Sequence, residues 1–193
     1  MSPTRRLAAI LAADMVGYSR LMEVDEAGTL ARLKTHRLEL IDPAIAKARG
    51  RIIKTTGDGM LVEHQSVAEA VQCAVEIQRL MARRNADVAP ARWIQFRIGI
   101  NLGDVIVEDD DIFGDGVNVA ARLQELAEPG GICVSGEVRD QVGDRLDQVV
   151  FDDLGEQSVK NIARRIRVYR IRVPEEIPGS PEAAPPISPA AVA

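Results

Sequence analysis

The sequence predicts an α+β fold, with a mixed sheet on a ferredoxin-like βαββαβ core, added strands and helices, and its helices on one face. Three patterns support this fold. Residues 7–13 are apolar without alternation, residues 51–63 have the composition of a β-hairpin, and residues 66–84 have helical periodicity before an alternating strand at 93–100. A helical region separates the first two, which gives the order strand, helix, hairpin, helix, strand.

The first predicted strand ends in a carboxylate, Asp14. This carboxylate either caps the next turn or serves a site, and we favour the site because ligands bind at strand ends in α/β-type folds. The next residues, Val16, Gly17 and Tyr18, stand at a helix start, where backbone N–H groups bind phosphate well.

The hairpin contains two unusual residues. Its turn is Gly57-Asp58-Gly59, and Lys54 interrupts a β-forming strand of mostly apolar residues. The simple interpretation is that Asp58 is an ordinary turn residue and that Lys54 extends its charged group into water. Other motifs must decide whether these two residues also have a function.

Periodicity and turn residues predict the remaining elements. A helical pattern at 19–48 contains Pro43, which indicates a kink or a boundary between two helices. A capping box of Ser66 and Glu69 begins the helix at 66–84. Further elements are a turn at 101–104, a strand at 105–107, a largely solvated acidic run at 108–111, a helix at 117–127, a strand at 132–134, a helix at 136–142 and strands at 149–154 and 165–173.

The helix at 117–127 carries two polar residues on one stripe. Asn118 and Arg122 are spaced i,i+4, so they can reach one ligand together. The alternative is that Arg122 forms a surface ion pair with Glu125 or Glu128, which would contribute little stability.

Composition limits the classes of partner. The net charge of −5 argues against nucleic acid and anionic membranes as partners. No stretch is long enough to span a bilayer, and Cys73 and Cys133 fit buried reduced thiols, so we expect a cytoplasmic protein. One domain should cover residues 1–173. The Pro- and Ala-rich residues 174–193 should form a disordered tail, or a linker to a further C-terminal domain.

Asp14 and Asp58 should lie close together, because the first strand neighbours the hairpin in a βαββαβ core. Two hard oxygen ligands suit Mg²⁺ or Mn²⁺ whose coordination is completed by phosphate oxygens. A pair of such ions can hold the attacking and leaving oxygens of an in-line displacement.

Three segments together resemble the class III nucleotidyl (adenylyl/guanylyl) cyclase catalytic domain. They are Asp14-Met-Val-Gly-Tyr-Ser, Lys54-Thr-Thr-Gly-Asp58 and Asp111-Ile-Phe-Gly-Asp-Gly-Val-Asn118-Val-Ala-Ala-Arg122. The resemblance runs in order over about residues 7–173. It implies two divalent cations, Mg²⁺ or Mn²⁺, bound by Asp14, Asp58 and the carbonyl of Met15.

The same resemblance implies roles for the other motif residues. Lys54 and Asp111 match the purine-selecting pair in the form that reads adenine. Asn118 would orient the ribose, and Arg122 would stabilise charge on the α-phosphate. Lys160 would bind the terminal phosphates.

In this family the site straddles a head-to-tail dimer. The metal ligands come from one subunit, and the residues matched by Lys54, Asp111, Asn118 and Arg122 come from the other. This chain carries both sets, so the resemblance implies a homodimer with two sites. Two departures stand out. The segment between Gly103 and Asp111 is short, as in bacterial members with a reduced dimerisation arm, and Asn161 follows Lys160 where glycine is expected.

The expected activity is conversion of ATP to 3′,5′-cyclic AMP and pyrophosphate. GTP as the substrate is one alternative, against which the Lys54 and Asp111 pair argues. A non-catalytic nucleotide-binding or dimerisation module that regulates another domain is a second, which the Lys160-Asn161 departure leaves open. A diguanylate cyclase or polymerase-palm relative is a third, and Asn118 and Arg122 do not support it.

Overall fold

An eight-stranded sheet organises the chain in the computed structural model, which describes residues 4–173. The strands are β1 (Thr4–Met15), β2 (Arg51–Thr56), β3 (Gly59–His64), β4 (Phe96–Glu108), β5 (Asp111–Phe113), β6 (Ile132–Ser135), β7 (Val150–Gln157) and β8 (Ile166–Arg172). The helices are α1 (Tyr18–Val24), α2 (Glu26–His36), α3 (Asp42–Lys47), α4 (Val67–Asn85), α5 (Asp115–Leu126) and α6 (Gly136–Val142). The predicted tail at 174–193 lies outside the described residues.

The strand order β2-β3-β1-β4 is that of a ferredoxin-like core, and β6, β8 and β7 extend it. Neighbours within the core are antiparallel, whereas β4 and β6 are parallel. The predicted core and mixed sheet are therefore confirmed.

Helices cover both faces of the sheet, so the expectation of one helical face was wrong. Along β1, Ala9 and Leu11 belong to the main core with α4, whereas Ala8 and Ile10 face the side that α5 covers. The unbroken apolar run of β1 requires this arrangement, because alternate side chains point to opposite faces. We call the α5 side of the sheet the α5 face.

The predicted turn at 101–104 is also wrong, because β4 is continuous and pairs with β1 from Thr4↔Val107 to Met15↔Phe96. Gly103 reflects a close approach instead of a turn, since a Cβ added there would lie 2.9 Å from the Cα of Gly116. The acidic run contributes Asp111 to β5, which pairs with the end of β4.

The helical region at 19–48 is divided more than its pattern predicts. Asp25 ends α1 and caps α2, where its side chain accepts a hydrogen bond from the N–H of Gly28. A π-helical turn at Arg37–Ile41 precedes α3, whose first turn contains Pro43, so the expected boundary is present. The predicted cap of α4 is confirmed, since the Ser66 hydroxyl accepts from the N–H of Glu69.

Both cysteines are free and buried, as expected. Burial raises the pKa of Cys73 to about 12 and that of Cys133 to about 11, so both thiols stay protonated at neutral pH. Within residues 4–173, no helix combines the length and the apolar character that a membrane crossing requires.

Candidate active site

The end of β1 and the hairpin turn are joined directly. Asp14 pairs with Gly59 across the β1–β3 ladder, and the N–H of Met15 donates to the carbonyl of Asp58 at 3.0 Å. Gly57 has a φ of 41°, and the primed hairpin turns require a positive φ at the first loop position. The short loop therefore brings Asp58 beside Asp14.

The two carboxylates interact unfavourably. Burial raises the pKa of Asp14, and the neighbouring Asp58 raises it further through its charge and a side-chain hydrogen bond. A backbone hydrogen bond from Met15 and the charge of Arg97 act in the opposite direction. Two crowded hard-oxygen anions make a suitable place for a divalent cation.

Asp14 and Asp58 could hold a metal ion together with oxygen atoms of a ligand. Among the residues that the structure describes, no group of three or more His, Cys, Asp or Glu side chains could hold a metal ion. Asp14 and Asp58 would thus supply only part of the coordination, which is typical of Mg²⁺ sites that share phosphate oxygens with a substrate.

Arg97 is a site candidate that the sequence did not reveal. It lies opposite Asp14 in the β1–β4 register, its charge lowers the pKa of that carboxyl, and its Nε atom is buried without a partner in residues 4–173. Its position in an alternating strand looked ordinary, and only the pairing of β4 with β1 shows that it faces the carboxylates.

The predicted phosphate-binding turn is partly used by the fold. The N–H of Val16 donates to the carbonyl of Gln95 at 2.8 Å, so the fold uses this N–H, and the ligand-binding role of Val16 stays a prediction. Gly17 takes the left-handed conformation at φ 64°, and Tyr18 begins α1. These two residues keep their place at the start of the helix.

Lys54 and Asp111 contact each other, although 57 positions separate them. The Lys54 ammonium donates to both carboxylate oxygens of Asp111 at 3.1 Å. The Asp111 carboxylate also accepts the N–H of Ile112 at 2.8 Å. The hydrogen bond from Lys54, followed by that from Ile112, lowers the pKa of Asp111.

The third group lies on and beside α5. Asn118 is exposed, and Arg122 is half-buried. Arg122 donates through Nε to the carbonyl of Lys160 at 3.1 Å and through Nη1 to Glu125 at 2.7 Å, so the predicted alternative of a surface pair with Glu125 is present. Lys160 brings its backbone to Arg122 and leaves its side chain exposed.

Asn161, which stands where glycine was expected, keeps a backbone conformation that glycine also adopts. Asn161 adopts φ 64°, a left-handed conformation that glycine takes freely and that asparagine tolerates better than most residues. The loop around Lys160 therefore keeps a turn that glycine would also allow.

Asp14 and Lys54 share one face of the sheet, but the predicted site residues form separate groups. Asp14 continues the α5 face of β1, and Lys54 pairs with Leu61, whose side chain packs on the same face. Two surface clefts of about 560 and 540 Å³ lie elsewhere, and none of the predicted site residues lines them.

Comparisons with known proteins agree with one another. The sequence profile of the "Adenylate and Guanylate cyclase catalytic domain" family matches residues 2–172. A Rhizobium meliloti protein named as an adenylate cyclase is 47% identical over 191 residues, which cover 96% of this chain and 32% of that protein. The chain thus spans about a third of the length of this curated relative.

Two solved structures extend the similarity. One is an adenylate/guanylate cyclase/hydrolase from Silicibacter pomeroyi, 56% identical with a TM-score of 0.83, covering 90% of this chain and 100% of that one. The other is the adenylyl cyclase CyaB from P. aeruginosa, 25% identical with a TM-score of 0.75, covering 89% and 96%.

Proposed function

Because the chain belongs to the family of adenylate and guanylate cyclase catalytic domains, we propose that it converts ATP to 3′,5′-cyclic AMP and pyrophosphate as a homodimer with two sites. The family binds nucleotides, uses divalent metals and works as dimers. The choice of ATP, the residue roles and the homodimer are proposals for this chain.

The direct contact between Lys54 and Asp111 carries the choice of adenine. The ammonium has three N–H donors, of which Asp111 takes at most two, so one remains for adenine N1. The Asp111 carboxylate keeps free lone pairs for the exocyclic amine. Guanine presents a donor at N1 and an acceptor at C6, so it would need the two side chains in exchanged positions.

Asp14, Asp58 and the Met15 carbonyl are the proposed metal ligands. When bound, two divalent cations supply charge that stabilises the attacking and leaving oxygens. The chain's own part is to hold the two carboxylates together, through the hydrogen bond from Met15 to Asp58 and the Gly57 turn. In the reaction the ribose 3′-oxygen loses its proton and bonds to the α-phosphorus, and the bond to the bridging oxygen of the leaving pyrophosphate breaks.

In this proposal, cationic residues bind the phosphate groups of ATP. Arg97 lies beside the metal ligands with a free Nε, which suits it to the polyphosphate chain. Arg122 would exchange its contact with Glu125 for the α-phosphate, and Lys160 would serve the terminal phosphates. Asn118, exposed one turn before Arg122, would hold the ribose, while Gly17 and Tyr18 would offer backbone N–H groups.

The homodimer is supported by the family, whose members work as dimers, and by the division of the site residues into groups. The Asp14 and Asp58 pair and the Lys54 and Asp111 pair are separate groups within the chain, as expected if a second copy completes each site. Two inactive variants should then complement each other. Asp14→Asn and Arg122→Lys chains, when mixed, form heterodimers in which one site is intact, so about a quarter of the sites should work after random exchange.

The decisive assay measures cyclic product from ATP and from GTP, with Mg²⁺ or Mn²⁺, across protein concentrations. Cyclic AMP formation with specific activity that rises with concentration supports the proposal. If the protein turns over GTP in preference to ATP, the proposed activity is that of a guanylyl cyclase instead. ATP binding without any cyclic product would favour the non-catalytic module.

A further inference from the structure

The neighbour of the Lys54 and Asp111 pair is an exposed aromatic ring. The Nζ atom of Lys54 lies 5.3 Å from the centroid of the Phe113 ring, within cation–π range. Phe113 is 44% exposed, so the core does not account for its position. Since the chain contains only three phenylalanines, an exposed one beside a candidate substrate contact needs an explanation.

The geometry of β5 places the ring there. Side chains alternate along a strand, so Asp111 and Phe113 share one side and Ile112 points to the other. Ile112 is fully buried in the cluster on the α5 face, which anchors the strand. The strand therefore presents a carboxylate and a ring together, and Lys54 from β2 contacts both.

We propose that Phe113 is a positioning residue that fixes the ammonium of Lys54 and thereby sharpens the selection of adenine over guanine. This inference rests on the proposed function and adds a specificity determinant to it. Lysine has a long flexible stem, and a carboxylate alone leaves the ammonium free to move around its two oxygens. The ring supplies a second contact from another direction.

Selectivity between the two bases depends on which side chain meets which atom of the base. Adenine needs the lysine at N1 and the aspartate at the exocyclic amine, whereas guanine needs a donor near O6 and an acceptor near N1. A Lys54 ammonium that is free to shift towards the O6 position would tolerate guanine better. By holding the ammonium, Phe113 keeps the pair in the arrangement that only adenine matches.

The test compares Phe113→Leu, which removes the ring, with Phe113→Tyr, which keeps it. Phe151→Leu is a matched control, because the Phe151 ring lies 5.0 Å from the Arg139 guanidinium, away from the Lys54 and Asp111 pair. We expect Phe113→Leu to lower the ratio of kcat/KM for ATP to that for GTP by about two- to five-fold. Phe113→Tyr and Phe151→Leu should keep the wild-type ratio.

A second readout does not depend on activity. Carboxyl ¹³C NMR titration follows the pKa of Asp111, which the hydrogen bond from Lys54 lowers. Phe113→Leu should raise this pKa towards the ordinary range, and Phe113→Tyr should leave it low. An unchanged Asp111 pKa in Phe113→Leu, or equal changes in the Leu and Tyr variants, would overturn the inference.

The two proposals fail in different ways. If the wild-type protein makes no cyclic nucleotide, the proposed function is wrong, and the Asp111 titration alone still decides whether the ring holds Lys54. If the wild type makes cyclic AMP and Phe113→Leu keeps the full preference for ATP, only the role of Phe113 is wrong.

Discussion

The N–H of Met15 donates to the carbonyl of Asp58 at 3.0 Å, and this one hydrogen bond ties the end of β1 to the turn between β2 and β3. Asp58, which accepts this hydrogen bond, and Asp14, which precedes Met15, are the proposed metal ligands. Their proximity is therefore set by the backbone and does not depend on attraction between the side chains, which repel each other.

Replacing either carboxylate tests the metal site. Asp14→Asn and Asp58→Asn should each reduce cyclic AMP formation to background while the protein stays folded, because the amide is a neutral and weaker ligand for a hard cation. Turnover and circular dichroism are measured on the same samples. Undiminished activity in either variant would exclude its residue as a ligand.

Asp111→Asn tests how adenine is read. The asparagine amide presents both a hydrogen-bond donor and an acceptor, so it no longer clearly favours the exocyclic amine of adenine. It also binds the Lys54 ammonium less tightly. The ratio of kcat/KM for ATP to that for GTP should fall by about three- to ten-fold. A variant that keeps the wild-type ratio would show that other residues select the base.

Arg122→Lys tests the proposed stabilisation of the α-phosphate. Lysine keeps the charge but loses the forked geometry of the guanidinium. We expect kcat to fall by about 100-fold with little change in KM, since the contact forms in the transition state. Glu125→Gln is the control that separates loss of the Glu125 contact from loss of the phosphate contact, and it should keep at least wild-type kcat.

Gly99→Ala tests the contact between β4 and α5. A Cβ added at Gly99 would lie 2.3 Å from the backbone of Ala120 and Gln124, so the helix must shift. The free energy of unfolding should fall by about 1–3 kcal/mol in urea titrations. Gly136→Ala is the matched control, because its nearest neighbour would be 3.4 Å away, and it should have a much smaller effect.

Asp152 provides a test in acid. Hydrogen bonds from Arg172, and then from Arg170, lower the pKa of Asp152 to about 2. A lowered pKa in the folded state adds stability above the ordinary value of 3.8, and this is lost as the pH falls through about 2. Wild type and Asp152→Asn should therefore differ in unfolding free energy at pH 6 and converge near pH 2, as measured by urea unfolding across this range. A gap that persists at low pH would contradict the shift.

The features that depend on neighbouring residues in the chain could be predicted from the sequence. The Gly57-Asp58 turn and the Ser66 cap depend on residues near them in the chain, and both were predicted. Arg97 and β5 were missed because their meaning depends on pairing partners far along the chain. Gly103 was wrongly predicted to lie in a turn for the same reason. The glycine instead allows α5 to approach β4 closely, and the strand continues through it.

Asn161 shows the limit of reading a motif by residue identity. Glycine was expected there, and the structure shows asparagine in a left-handed backbone conformation that glycine adopts freely. That conformation is thus kept, although the expected glycine is absent.

The unbroken course of β4 restricts how this domain can change in length. Arg97 faces the carboxylates near one end, and Glu108 pairs with Asp111 at the other. Because side chains alternate, insertion or deletion of one residue between them would turn every later side chain to the opposite face, including those that position β5. Length variants of this strand that keep the site are therefore those that add or remove residues in pairs, or that absorb an odd residue in a β-bulge.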